Sequence, residues 1–131
     1  MDLHSEELKR DYFTVYNHCE AEVIADGRSR VTVELRQESL NVWGSPHGGL
    51  LFTMADLATG VASRSVYPGR TQTISGTLNF LDVDWEAKTI YAEATVDRSG
   101  KTTAFCSVKI TSDHGVLLAE GTYVYHLSPR S

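Results

Sequence analysis

Between Pro46 and Arg64 only Asp56 carries a formal charge, and His47 is the one other titratable side chain. The spacing predicts a helix from roughly Gly49 to Arg64. At 100° per residue, Leu50, Leu51, Met54, Leu57, Ala58, Val61 and Ala62 fall on one broad face, suited to covering a sheet. The opposite face carries Phe52, Thr53, Asp56, Thr59, Gly60 and Ser63. Charged residues make up 22% of the chain, so a surface helix should show water several Lys or Glu side chains on its back. This one offers small hydroxyls, a glycine, a phenylalanine and one carboxylate. Both faces are therefore expected to be covered, the second by another subunit. Asp56 then reads as a partly desolvated carboxylate in a pocket, able to take a proton from water or to attack a carbonyl carbon itself.

The remaining elements supply the cover. Residues Ser5 to Asn17 read as a helix, with Ser5 as cap, Glu6 and Glu7 in the first turn, and Leu8, Tyr12, Val15 and Tyr16 at helical spacing. Asp26-Gly27 separates two short β-rich runs and signals a hairpin. A loop from about Gln37 to Gly48 leads to the uncharged helix. After it come Gln72–Leu81, a run through Ile90, Ala92, Ala94 and Val96, another through Ala104, Cys106, Val108 and Ile110, and Val116–Tyr125. In the first of these, Ile74, Leu78 and Phe80 alternate with Thr73, Ser75, Thr77 and Asn79. Turns fall at Ser99-Gly100 and Asp113-His114-Gly115. The reading is α+β, an antiparallel sheet with a helix packed on it, in one domain spanning 1–131.

A net charge of −5 and a pI near 5.4 give no counterion-release term, so nucleic acid is not expected as a partner. The weakly polar stretch Gly48–Ser63 is too short to span a bilayer, and the acidic start Met1-Asp2-Leu3-His4-Ser5-Glu6-Glu7 lacks the pattern of a secretory leader. A cytoplasmic protein without membrane contact is expected. Cys19 and Cys106 have neither CxxC spacing nor a disulfide framework's density, which predicts two free thiols. His4, His18, His114 and His126 lack metal-site spacing, and Asp82-Val83-Asp84-Trp85-Glu86 lacks the glycine and closing Glu of a calcium loop. It reads as a solvated acidic turn. No metal and no bound cofactor are expected. The Gly-x-Ser-x-Gly of serine hydrolases and both glycine-rich nucleotide loops are missing.

Just before the uncharged helix stands Asn41-Val42-Trp43-Gly44-Ser45-Pro46-His47-Gly48-Gly49. Pro46 stiffens the approach, the paired glycines let backbone come close to a ligand, and the helix start presents unpaired N–H groups. Such donors can stabilise a carbonyl oxygen that is gaining negative charge. Asn41, His47-Gly48-Gly49 six residues on, and Asp56 nine residues after His47 resemble the hotdog-fold acyl-CoA thioesterases of the phenylacetate-pathway (PaaI-like) type. The Asp26-Gly27 hairpin, Thr77–Leu81, Gly100–Phe105 and Gly115–Thr122 resemble further segments of that family, so the likeness extends over most of the chain.

The resemblance implies a hotdog fold, a sheet wrapped around a central helix, and hydrolysis of acyl-CoA thioesters. It implies that the Gly48 N–H, helped by the Asn41 side chain, polarises the thioester carbonyl. His47 would orient the loop or contact the departing sulfur, with Gly49 beside it in the substrate site. Asp56 would activate water or act as nucleophile. A hydroxyl on the next strand, Thr73 or Ser75, would position that water. The family draws its Asp and Thr/Ser from one subunit and its Asn/His-Gly-Gly loop from another, so a homo-oligomer is implied, a dimer or a tetramer built as a dimer of dimers. Where the family commonly has a proline after the strand ending near Leu81, this chain has Asp82–Glu86. Lys101 and Arg98 are candidates for the phosphates of coenzyme A. Acyl specificity stays open between phenylacetyl-type, other aromatic and medium-to-long aliphatic groups. Two rival readings are a hotdog 3-hydroxyacyl-thioester dehydratase and a non-catalytic acyl-CoA-binding module.

Overall fold

The computed structural model describes residues 3–129, so Met1, Asp2 and the last two residues lie outside it. In chain order the elements are helices α1 (Leu3–Lys9) and α2 (Tyr12–Tyr16), strands β1 (Glu20–Ala25) and β2 (Arg28–Glu34), helix α3 (Gly48–Val66), and strands β3 (Arg70–Phe80), β4 (Thr89–Ser99), β5 (Thr103–Ser112) and β6 (Leu117–Ser128). A single 3-10 turn, Gln37–Ser39, interrupts the loop before α3. The six strands form one antiparallel sheet in the order β1-β2-β4-β5-β6-β3. Helix α3 contacts every one of them. Bulges in the β1–β2, β4–β5 and β3–β6 ladders increase its local twist, as a sheet that curls around a helix requires.

The core is that enclosure. Met54, Ala55, Ala58, Val61 and Ala62 of α3 are fully buried, facing Val31, Val33, Ile90, Ala92, Ile110 and Tyr123. Alanines at 92, 94 and 104 keep the sheet's inner surface shallow enough for the helix to seat. The helix back is covered differently from the expectation. Thr59 and Ser63 are already fully buried within one chain, because β5 and β6 curl far enough to bring Cys106 and Tyr125 against them. Only the N-terminal part of that back is left without complete cover: Phe52 is exposed, and Thr53 and Asp56 are half-buried.

The N-terminal helix expected over Ser5–Asn17 is two helices. Backbone N–H groups of Arg10 and Asp11 close α1 with bonds three residues back, to Glu7 and Leu8, and the Asp11 carbonyl then starts α2 by accepting from Val15. That break rotates the apolar stripe away from the core. Leu8 packs against it, whereas Tyr12, Phe13, Val15 and Tyr16 are 51–78% exposed and Thr14 is the buried residue. Ser5's cap role lies outside the residues whose side chains are described. The Asp26-Gly27 hairpin forms as read, with Gly27 at φ 74°.

The acidic turn is not simply solvated. Asp84 accepts from Ser112 Oγ (2.7 Å) and pairs with His114 Nδ1 (2.8 Å), clamping the 82–88 connection to the β5–β6 turn. Both thiols are free; Cys106 is buried, and burial together with the Asp11 charge pushes the Cys19 thiol up to about 11. Among the described residues no helix is long and apolar enough to cross a membrane.

Candidate active site

Helix α3 begins where the sequence places its ligand-facing loop. His47 is the N-cap: its Nδ1 accepts from the Gly49 N–H (2.9 Å) and its carbonyl receives the Leu50 and Leu51 N–H groups. With Nδ1 acting as acceptor, the ring proton sits on Nε2. A Cβ on Gly49 would lie 3.0 Å from that Nδ1, so a side chain there would press on the cap. Among the described residues the Gly48 N–H has no partner. Phe80 lies over Gly48, 3.5 Å from where a Cβ would stand.

Asn41 organises the loop rather than pointing freely out of it. Its Oδ1 accepts from the backbone N–H of Trp43 (2.9 Å) and Ser45 (3.2 Å), and its Nδ2 donates to Ser45 Oγ (3.0 Å). A carboxamide has two acceptor and two donor positions, so one N–H is left for a ligand. This turn thrusts Val42 and Trp43 outward, 89% and 79% exposed.

Further along α3, Asp56 sits in a groove of 310 Å³ lined by Phe13, Phe52, Gly60, Thr73 and Tyr125 among others. Two hydroxyls meet one of its oxygens. Thr73 Oγ1 donates to Oδ1 at 2.7 Å, and the Tyr125 phenol lies 2.7 Å from the same atom. That phenol also touches the Asp56 backbone carbonyl and lies 2.7 Å from Thr59 Oγ1. Burial first, then the neighbouring Asp56 charge, push the Tyr125 phenol far above its ordinary value, so it stays protonated and donates.

Thr73 and Ser75, read as facing the same way, do not. Thr73 pairs with Tyr125 and Ser75 with Val124, because the β3–β6 ladder shifts register between them. Partners across an antiparallel ladder share a face, so Thr73 turns toward α3 with Tyr125 while Ser75 turns outward with Val124. Ser75 is absent from the groove lining, and so is Lys101, exposed in the β4–β5 turn. The sequence reading passed over Tyr125. Its available signal was the alternation of Tyr123, Tyr125 and Leu127, since a tyrosine on the inner face of a strand needs a partner for its O–H.

One long helix enclosed by a single curled antiparallel sheet, with a glycine-rich loop at its start and a carboxylate two turns in, defines the hotdog class. Comparison places it more narrowly. Residues 44–119 match the thioesterase superfamily, and the chain belongs to that family. A candidate esterase of Pseudomonas aeruginosa is 33% identical over 107 residues, 78% of this chain and 78% of that protein. The PaaI protein of the Escherichia coli phenylacetic acid degradation operon shares the fold, with a TM-score of 0.88 at 24% identity over 97% of this chain and 91% of that one. A hypothetical thioesterase protein of Streptococcus pneumoniae, solved with coenzyme A, superposes with a TM-score of 0.83 at 26% identity, over 95% of this chain and 99% of that one. This protein is a thioester hydrolase of that superfamily.

Proposed function

We propose that the protein hydrolyses acyl-CoA thioesters in a site completed by a second copy of the chain. The observation carrying this reading is the Asp56 carboxylate, braced by Thr73 and Tyr125 in an open groove. Asp56 takes a proton from water as the water oxygen attacks the thioester carbon. The displaced electron pair collects on the carbonyl oxygen, to which a Gly48 N–H donates a hydrogen bond. Collapse breaks the C–S bond, and the proton held by Asp56 passes to the departing thiolate. A thiol leaves readily because its pKa is near ~8.5, so no strong general acid is needed.

Distance supports a partner. Gly48 and Asp56 are eight residues apart on one helix, which at 1.5 Å per residue separates them by about 12 Å. That is too far for one carbonyl group to meet both. A second chain bringing its own loop to this groove closes the gap and accounts for the exposed Trp43, Val42, Phe13 and Phe52. The dehydratase alternative is less well served, because His47 Nδ1 is occupied by the cap bond and so is not available as a base.

Release of free thiol from a panel of aromatic and aliphatic acyl-CoAs tests the proposal. Turnover on at least one class is expected, with loss in an Asp56→Ala variant. No thiol release across the panel, or unchanged turnover in the variant, overturns it.

A further inference from the structure

We propose that Tyr125 is the positioning residue of this site: with Thr73 it holds Asp56 through Oδ1 and the backbone carbonyl, leaving Oδ2 as the oxygen that exchanges the proton. The inference rests on the hydrolytic reading above and specifies which atoms perform it. Both hydroxyls stand 2.7 Å from Oδ1, and among the described residues none bonds Oδ2. Thr73 gives its hydrogen to Oδ1, and the phenol shares its single hydrogen between Oδ1 and the Asp56 backbone carbonyl; together they pin the carboxylate's torsion and hold its second oxygen toward the groove.

A proton count follows. The Thr73 hydroxyl has a single hydrogen, and it is committed to Oδ1. Toward a water molecule Thr73 is therefore an acceptor only, and the water's other proton is the one delivered to Oδ2. Tyr125 is anchored for this task from behind. It is 3% exposed, and Thr59, itself fully buried, holds the phenol from the helix side. Gly60 leaves the helix surface bare beside it; a Cβ there would stand 3.4 Å from the phenol oxygen. Tyr125 acts through Asp56.

Tyr125→Phe removes one oxygen and keeps the ring. Expected is a fall in kcat of about 10- to 100-fold, the worth of a hydrogen bond to a charged group, with KM held within two-fold. In an Asp56→Asn background the same change produces no further loss. Thr73→Ser, which keeps the donor, retains most of the rate. An unaltered kcat in Tyr125→Phe, a loss confined to KM, or an equal further loss without the Asp56 carboxylate overturns the proposal.

A urea-unfolding cycle over Tyr125→Phe and Asp56→Ala reads the contact without catalysis. The midpoint shifts of the single variants are expected to exceed that of the double when summed, and strict additivity overturns the inference. Wild-type protein with no thiol release would overturn the hydrolytic reading alone, because the unfolding cycle still reports on the phenol–carboxylate coupling.

Discussion

Replacing Gly48 by proline deletes one hydrogen-bond donor and little else. Gly48 is the first residue of α3, the position where proline is best tolerated, because a helix makes no internal use of that N–H. His47 precedes it at φ −64° and ψ 134°, inside the extended region that a following proline demands. The new Cβ would meet Phe80 at 3.5 Å, an ordinary contact. Stability should therefore stay within about 1 kcal/mol of wild type, since no cap bond is lost. The rate should not. An oxyanion donor is worth roughly 100- to 1,000-fold in kcat, and this variant should lose that much in a thiol-release assay. Mixing provides the second half of the test. In a two-fold dimer with shared sites, Gly48→Pro and Asp56→Ala chains co-refolded in equal amounts form hybrids for half of all dimers. Each hybrid has one intact site of its two, so the mixture should recover roughly 25% of wild-type turnover although neither parent is active. A Gly48→Pro enzyme that keeps its kcat refutes the oxyanion role, and a mixture that recovers nothing refutes the shared site.

Two other outcomes follow from the packing and the charges. Met54→Ala empties a fully buried position on the sheet-facing side of α3 and should cost about 2–5 kcal/mol in urea unfolding. The Asp84–His114 clamp should make stability depend on pH. The Asp84 carboxylate and its neighbours raise His114 above its ordinary 6.5, so its contribution is complete below pH 6.5 and fades as pH climbs through the folded value. Bonds from Ser112 and His114 lower Asp84 below 3.8, so its contribution is complete above that pH and fades as pH falls through the folded value. Urea midpoints should plateau between those limits in wild type. His114→Gln should remove the decline on the alkaline side of the plateau; an unchanged profile would refute the clamp.

Much of this molecule is legible in one dimension because its signals are local. The period of Leu50, Met54, Leu57 and Val61 marks the face that meets the sheet, and the Asp26-Gly27 pair marks its hairpin. The meander after Arg64 alternates cleanly enough to be counted in strands. The loop donors and Asp56 stand out for a related reason: a helix with a single charge makes that charge conspicuous. Ser75 was misread because a register shift at one residue reverses the facing of everything beyond it, and nothing in Thr73-Ile74-Ser75 announces a bulge. The N-terminal segment was misread because its apolar spacing is genuine but the chain breaks at Arg10-Asp11, turning that stripe outward.

The amino-acid order alone therefore determined the enclosed helix, the strands around it and the lone carboxylate that the helix carries, all of which depend on neighbours a few residues apart. Only the folded chain decided which hydroxyls reach Asp56. Thr73 and Tyr125 are 52 residues apart and became partners of one oxygen through a strand pairing that no local pattern encodes. The same three-dimensional curl of β5 and β6 decided that Thr59 and Ser63 are covered within the chain. It left Phe52, Thr53 and Asp56 less completely covered than Thr59 and Ser63, because among the described residues no strand residue closes over that part of the helix back as Cys106 and Tyr125 do further along.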